Sequence, residues 1–239
     1  MLRAPERIFT GRKGREAALA GEVTRALATG GSRFDAAQMA VLVDVNRPLE
    51  GVLAVAALCE MSGVGFAPCI PPQDEALVAA GLTSCPPFGE LAACDLLLAV
   101  GDPFSSHPAV AGHVRDMQFG ERGRRLVCID ATWGRTSRGA EQALTVGPLK
   151  MAGFMAALAV ACGAGAVAQS LGGKSVEDIC AALAIPVEQV TGLAADLKSA
   201  DSVGIILSQS VGRYAAPAAV AAAVREMAGA LEAKLWPLL

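Results

Sequence analysis

The 239 residues suffice for a domain with a sizeable core, and 53% of them are hydrophobic whereas only 18% are charged. This apolar excess indicates either burial against another subunit or simply an alanine-rich composition. The formal net charge of −3 argues against a nucleic-acid partner, which requires a concentrated positive surface. No secretory signal precedes Arg3 and Arg7.

The first third of the chain predicts a strand–helix–strand unit that follows an N-terminal helix. We expect helices over Glu16 to Ala28 and Pro48 to Met61, and strands over Met39 to Val45 and from Val64 to Phe66. The side chains expected to point inward from the second helix are Val52, Val55, Ala56 and Cys59.

The segment after Cys94 predicts the centre of the fold. Asp95 to Val100 is an apolar run closed by Gly101-Asp102-Pro103, and Leu126 to Ile129 is a second run that ends at Asp130. Between them a helix carries Val110, Val114 and Met117 at helical spacing, with Ser105 or Ser106 as its cap. A right-handed crossover brings both strand ends to one edge of the sheet, where α/β folds bind ligands. We therefore predict an α/β fold: a Rossmann-like parallel sheet with helices on both faces.

The last third predicts helices and one closing strand. Met151 to Ala168 is almost wholly apolar, but it is marginal in length for a membrane span and predicts a helix packed within a protein. Further elements are expected at Ser175 to Ala184, Pro186 to Lys198, Val203 to Leu207 with the exit turn Gln209 to Arg213, and Pro217 to Leu235. We interpret residues 1–239 as one unit with an N-terminal segment (1–38), an α/β core (39–150) and a helical part (151–239).

Two stretches resemble the molybdopterin oxidoreductase superfamily. GDPFSSHPAVAGHV followed by GRRLVCID is similar to the family's G-x-N-P-x-x-x-H-P turn, helix and strand ending in Asp-Pro-Arg. SVEDICAALAIPVEQVTGLAADLKSADSVGIILSQSVGR resembles a later family stretch that leads into a strand and a glycine-rich turn. Asp102 stands where the family often has Asn, and Asp130-Ala131-Thr132 replaces Asp-Pro-Arg.

The resemblance implies a nucleotide site at the two strand ends, for the guanosine part of a pterin dinucleotide. The candidate cofactor-binding residues are Gly101, Asp102, Pro103, Ser105, His107, Asp130, Thr132, Arg135 and Thr136. The free amides before the first core helix would suit a phosphate, and Arg135 or Arg138 could approach the same anion. The alternative is that Pro103 and Ser105 only shape the turn and cap the helix.

Metal and catalytic residues are not predicted. The metal-ligand position of the family falls near Gln73, Asp74 or Glu75, where no cysteine occurs, and Asp74 is interpreted as a solvated helix cap. Cys69 is interpreted as a packed thiol. The seven cysteines form no C-x-x-C pair, which excludes a local zinc or iron–sulfur site and indicates reduced thiols in the cytoplasm. Ser105 and Ser106 neighbour His107, but there is no G-x-S-x-G elbow, and neighbours in a turn seldom face one another.

Three functions remain open. The first is a non-catalytic scaffold subunit in a larger redox or one-carbon complex, similar to the molybdopterin-type chain of formylmethanofuran dehydrogenase or the large iron–sulfur subunit of complex I. The second is the pterin guanine dinucleotide-binding part of an active molybdenum or tungsten enzyme completed by other chains. The third is a nucleotide-binding domain like that of thiamine-diphosphate enzymes, which CDLLLAVG resembles. The missing ligands favour the first, with protein subunits as partners, no nucleic acid, no membrane insertion and no cofactor expected. Molybdopterin guanine dinucleotide is the candidate if a cofactor is bound.

Overall fold

The computed structural model describes residues 7–10, 16–19, 40–44, 49–69, 72–120 and 124–238. The chain divides into two compact units, residues 1–71 and 72–239. This boundary falls within the segment 39–150 that the sequence treats as one core. The interpretation of residues 1–239 as a single domain stays a prediction.

The first unit contains a strand–helix–strand motif. Strands β3 (Ala40–Asp44) and β4 (Gly65–Cys69) pair in parallel, and helix α1 (Leu49–Ser62) connects them. The inward residues of α1 are as predicted, since Cys59 is buried and Val52, Val55 and Ala56 are half-buried while the remaining described positions of the helix are exposed.

The helix predicted over Glu16 to Ala28 is wrong at its start. Glu16–Leu19 is strand β2, which pairs antiparallel with β1 (Arg7–Thr10) so that Arg7 lies opposite Leu19. The sequence Glu-Ala-Ala-Leu favours a helix, but antiparallel pairing with the preceding strand β1 overrides this local preference. Residues 20–28 lie outside the described residues.

The second unit is built on a five-stranded parallel sheet in the order β7-β6-β5-β8-β9. Its strands are β5 (Leu96–Val100), β6 (Arg125–Asp130), β7 (Gln142–Thr145), β8 (Val203–Leu207) and β9 (Lys234–Pro237). The three central strands are almost wholly buried, as expected of parallel strands covered on both faces.

Helices cover both faces of this sheet, which confirms the predicted fold class. Leu97, Ala99 and Leu126 face helix α4 (Val110–Gly120), where Val110, Val114 and Met117 are buried as predicted. Leu96, Leu98 and Val100 face the opposite side, with the helices of the C-terminal third. Two of these are α8 (Val176–Leu183) and α9 (Val187–Ser199), and a capping box of Ser175 and Asp178 starts α8.

The remaining helices are α2 (Pro72–Ala79), α3 (Pro103–Ser106), α5 (Arg135–Gly139), α6 (Met151–Cys162), α7 (Gly165–Ser170) and α10 (Pro217–Ala230), with short 3₁₀ helices at Phe88–Ala93 and Gln209–Arg213.

Two helix boundaries differ from the prediction. The apolar stretch from Met151 is two helices, because Gly163 adopts φ +101 and ends α6 with a left-handed cap. The last helix ends at Ala230 rather than at Leu235, since Glu232 adopts φ +51 and the chain then returns as β9. Trp236 on β9 is fully buried, so burying this ring and pairing β9 with β8 outweigh another turn of helix. Within the described residues, no helix is long and apolar enough to cross a membrane.

Candidate functional site

An open pocket of about 430 Å³ lies in the second unit, where β5, β6 and β8 end. This is the edge that the sequence predicts for ligand binding, and the volume is within the usual range of about 300–1,000 Å³ for small-molecule sites. The lining residues come from three turns and the chain after β7: Asp102, Ser105, Ser106, Asp130, Ala131, Thr132, Pro148, Gln209, Ser210, Arg213 and Tyr214.

The turn at Gly101 is closed by protein atoms. Gly101 adopts φ +89, and its amide donates to the Ile129 carbonyl across the strand ends (2.8 Å). A Cβ at this position would overlap the Ser210 hydroxyl and lie 2.9 Å from Ser208 Cβ. Glycine is therefore required here because the exit turn of β8 packs directly against it.

Asp102 holds this turn to helix α5. Its carboxylate accepts hydrogen bonds from the Ser105 hydroxyl (2.6 Å), the Arg135 amide (3.2 Å), the Thr136 amide (3.0 Å) and the Thr136 hydroxyl (2.6 Å). Burial alone would raise the pKa of Asp102, but these hydrogen bonds outweigh it and lower the pKa below its ordinary value. The carboxylate thus caps α5 from a distant part of the chain.

The serines after Pro103 do not cap helix α4 as predicted. The Ser105 hydroxyl donates to Asp102, and the Ser106 hydroxyl lies within hydrogen-bond distance of the Asp102 carbonyl (3.3 Å) and of Ser208 Oγ (3.1 Å). Both serines belong to the short helix α3, which puts them too early in the chain to reach the first amides of α4. Ser106 Oγ also lies 3.1 Å from His107 Nδ1, so the expectation that these neighbours point apart is wrong.

Asp130 is buried at the end of β6 and is bonded to Tyr214. Its Oδ1 accepts from the Ala131 amide (2.7 Å) and the Tyr214 hydroxyl (2.5 Å), whereas Oδ2 accepts only a long bond from the Thr132 hydroxyl (3.4 Å). Burial, together with the hydrogen bond to Asp130 and the negative charge of that residue, raises the pKa of Tyr214, so the phenol keeps its proton. Oδ1 therefore already accepts two short hydrogen bonds, and Oδ2 is the carboxylate oxygen that can accept another.

Of the arginines near this edge, Arg213 lines the pocket, whereas Arg135 and Arg138 do not. Arg213 lies in the exit turn that is predicted after Leu207, and no binding role is predicted for it from the sequence. Its position at the carboxyl end of a predicted buried strand was the available signal. Arg135 and Arg138 lie on the short helix α5.

Asp74 is not the solvated cap that the sequence predicts. It is 3% exposed, and its Oδ1 accepts a hydrogen bond from Gln209 Nε2 (2.7 Å), which ties the start of α2 to the pocket wall. Among the described residues no group of three or more histidine, cysteine, aspartate or glutamate side chains is placed to hold a metal ion. The side chains of Gln73 and Cys69 lie outside the described part of the chain.

Four of the predicted cofactor-binding residues therefore meet at the pocket: Asp102, Ser105, Asp130 and Thr132. Gly101, Pro103 and Thr136 shape or brace the turn behind it, and His107 and Arg135 do not line it. The assignment of all nine residues to a nucleotide stays a prediction.

No family model matches the chain, and no curated protein matches it by sequence. Its fold is similar to that of acetylene hydratase from Pelobacter acetylenicus, with a TM-score of 0.65 and 11% identity over 96% of this chain and 34% of the other. It is also similar to a chain of the formyltransferase/hydrolase complex from Methylorubrum extorquens, solved with methylofuran, with a TM-score of 0.57 and 16% identity over 92% of this chain and 58% of that one. The chain thus spans less than two thirds of either matched chain. These likenesses show a common fold.

The Gly101 turn does not offer the phosphate site that the sequence resemblance implies for the dinucleotide. The backbone amides of the Gly101 turn that a phosphate would use already donate within the protein, Gly101 to the Ile129 carbonyl, Asp102 to Ser210 Oγ and Phe104 to Thr136 Oγ1. The Asp102 carboxylate already accepts four hydrogen bonds, about the number that two carboxylate oxygens can take, and Asp130 Oδ1 is occupied by Tyr214. No chemical step is therefore derived through a pterin.

Proposed function

We propose that this chain is a non-catalytic subunit of a multi-protein redox or one-carbon complex, in which it acts as a scaffold. The fold likeness to a chain of a formyltransferase/hydrolase complex supports an assembly of this kind. The self-contained hydrogen bonding of the Gly101 turn supports loss of the family's cofactor chemistry. Both considerations agree with the missing metal-ligand cysteine.

The observation that carries the proposal is the outer face of helix α1, which we define as Leu53, Ala54, Ala57, Leu58 and Met61. These five positions lie on one side of the helix, opposite the inward residues, and all are exposed. Leu53, Leu58 and Met61 have exposed fractions of 59%, 62% and 87%. Glu50 in the first turn and Glu60 at the border are the acidic residues near this face, and the rest of it is apolar. A helix with apolar residues on opposite sides is normally covered on both. At 14 residues α1 is shorter than the roughly 20 that a membrane span requires, so a protein surface is the fitting cover.

The sheet that α1 joins presents a second apolar surface. Side chains alternate along a strand, and on β3 Val41 and Val43 are half-buried whereas Leu42 is 73% exposed. A two-stranded sheet with one covered face is marginal by itself. We therefore place the partner subunit against residues 40–69.

Native mass spectrometry of the endogenous complex tests this assignment. The tagged wild-type chain should be recovered at fixed stoichiometry with a defined partner chain. The double variant Leu58→Ser, Met61→Ser should be recovered without that partner, because both changes place hydroxyls in an interface that requires apolar contact. Phe119→Ser is the matched control, since Phe119 is 85% exposed on the second unit. Loss of the partner in the control, or its retention in the double variant, would contradict the assignment.

Metal content tests the non-catalytic part separately. The chain purified from a molybdenum-competent host should contain no molybdenum or tungsten. Elemental analysis of the isolated chain is the measurement, and stoichiometric metal would rule out the scaffold role.

A further inference from the structure

The hydroxyl groups of the pocket all point their hydrogens at the protein. Ser105 donates to Asp102, Thr132 to Asp130, Ser210 to Ser208 Oγ and Tyr214 to Asp130. The Ser106 hydroxyl donates within its own turn, to the Asp102 carbonyl. A hydroxyl has one hydrogen and two lone pairs, so the groups that reach the pocket offer it acceptors rather than donors.

The Asp130 carboxylate adds to this acceptor character. Its Oδ1 already accepts from the Ala131 amide and the Tyr214 hydroxyl, so the spare acceptor is Oδ2, whose one bond is 3.4 Å long. Because the Tyr214 phenol is buried against it, the carboxylate cannot swing away from this position. A ligand in the pocket must therefore bring hydrogen-bond donors of its own.

Arg213 supplies the pocket with a positive charge and with hydrogen-bond donors. It is the cation among the lining residues, it is exposed, and within the described chain its guanidinium has no hydrogen-bond or ion-pair partner. The neighbouring Tyr214 is 7% exposed and anchored to Asp130, which holds the Arg213 backbone at the pocket. A free guanidinium fork fits the two oxygens of a phosphate or a carboxylate.

We infer that this pocket binds a small polyhydroxylated anion, with its phosphate or carboxylate on Arg213 and its hydroxyl groups donating to Asp130 Oδ2 and the serine and threonine oxygens. The anion subsite is thus the exit turn of β8 and not the Gly101 turn, whose amides already donate within the protein. This site is independent of the proposed scaffold role, because α1 contributes nothing to the pocket lining.

Isothermal titration of the full chain with ribose 5-phosphate, gluconate and ribose tests the inference. At least one of the two hydroxylated anions should bind, and the tighter one identifies the oxyanion. Ribose, which lacks the anion, should bind at least tenfold more weakly than that ligand. Arg213→Gln should weaken the binding about 10- to 100-fold, the effect of losing a charge-assisted hydrogen bond. Arg213→Lys should recover part of the affinity, because it restores the charge without the fork.

Arg138→Gln is the matched control, since it removes the same charge from an exposed arginine that does not line the pocket. It should leave the affinity within about twofold of wild type, as expected for a surface charge away from the site. If Arg138→Gln and Arg213→Gln weaken ligand binding equally, the anion is held by non-specific electrostatic attraction. That result would overturn the inference. The inference is also overturned if neither anion binds up to about 10 mM, tenfold above the top of the common range of about 1 μM–1 mM for small ligands. Failure here would leave the partner experiment on α1 unaffected.

Discussion

Replacing Asp102 with Asn would test whether this carboxylate holds the turn after β5 to helix α5. The variant keeps the shape of the side chain but turns one acceptor oxygen into an NH₂ donor. Each carboxylate oxygen accepts from one backbone amide and one hydroxyl. In the variant one oxygen keeps both bonds, whereas at the new NH₂ group the hydroxyl can turn to accept and only the amide loses its acceptor. A hydrogen bond to a charged group contributes about 1.5–3 kcal/mol, and the lower value applies because Asp102 is only half-buried. The one lost bond then reduces the free energy of unfolding by about 1.5 kcal/mol.

Urea denaturation followed by Trp fluorescence measures this change, since Trp236 is fully buried in the same unit. Asp116→Asn is the control, because Asp116 is exposed on α4 and makes no hydrogen bond within the described residues. The control should change the free energy of unfolding by less than about 0.5 kcal/mol. If Asp102→Asn costs no more than the control, the four bonds do not stabilise the fold and the structural role given to Asp102 is wrong.

The same carboxylate predicts how the difference depends on pH. Because the folded pKa of Asp102 lies below its ordinary value of 3.8, the charged form stabilises the fold above that pH. The stability gap between wild type and Asp102→Asn should therefore be constant near neutral pH. It should narrow only in acid, as the pH falls through the lowered pKa of the folded state.

Three further outcomes are expected. Tyr214→Phe leaves a buried carboxylate oxygen without its phenol donor and should lower the free energy of unfolding in urea by about 1.5–3 kcal/mol; a change below 0.5 kcal/mol would contradict this. Gly101→Ala should destabilise the protein by more than about 2 kcal/mol, through overlap with Ser210 and a left-handed backbone, whereas Gly147→Ala has open space and should be nearly neutral by the same assay. Iodoacetamide at pH 8 should label exposed Cys85 and spare Cys128, whose pKa burial raises to about 11; mass spectrometry of peptides from the folded protein would refute this by showing equal labelling.

The buried central strands of the sheet were predictable because the sequence signals for them are local. Leu96–Val100 and Val203–Leu207 are unbroken apolar runs that end in turn residues, and the structure places both strands almost where the sequence does. The ligand edge follows from the ends of the strands that precede Gly101 and include Asp130, because a right-handed crossover brings the two ends together. The inward side of α1 follows from helical spacing alone.

The rest depends on contacts between residues far apart in the chain. Strand β9 owes its existence to pairing with β8 and to the burial of Trp236, neither of which is visible in the sequence after Pro217. The roles of Asp102 and Tyr214 are likewise tertiary, since their partners are 34 and 84 positions away. The edge that carries the pocket was therefore predictable from the sequence, whereas the hydrogen bonds that occupy Asp102 and Asp130 were not.

Hydrogen–deuterium exchange of the outer face of α1 tests the central claim most directly. The amides of residues 49–62 should exchange faster in the isolated chain than in the endogenous complex, because a partner subunit covers that face in the assembly. The strands of the five-stranded sheet serve as the internal reference and should exchange equally in both samples. Equal exchange of residues 49–62 in the two samples would contradict the proposal that this chain joins its complex through α1.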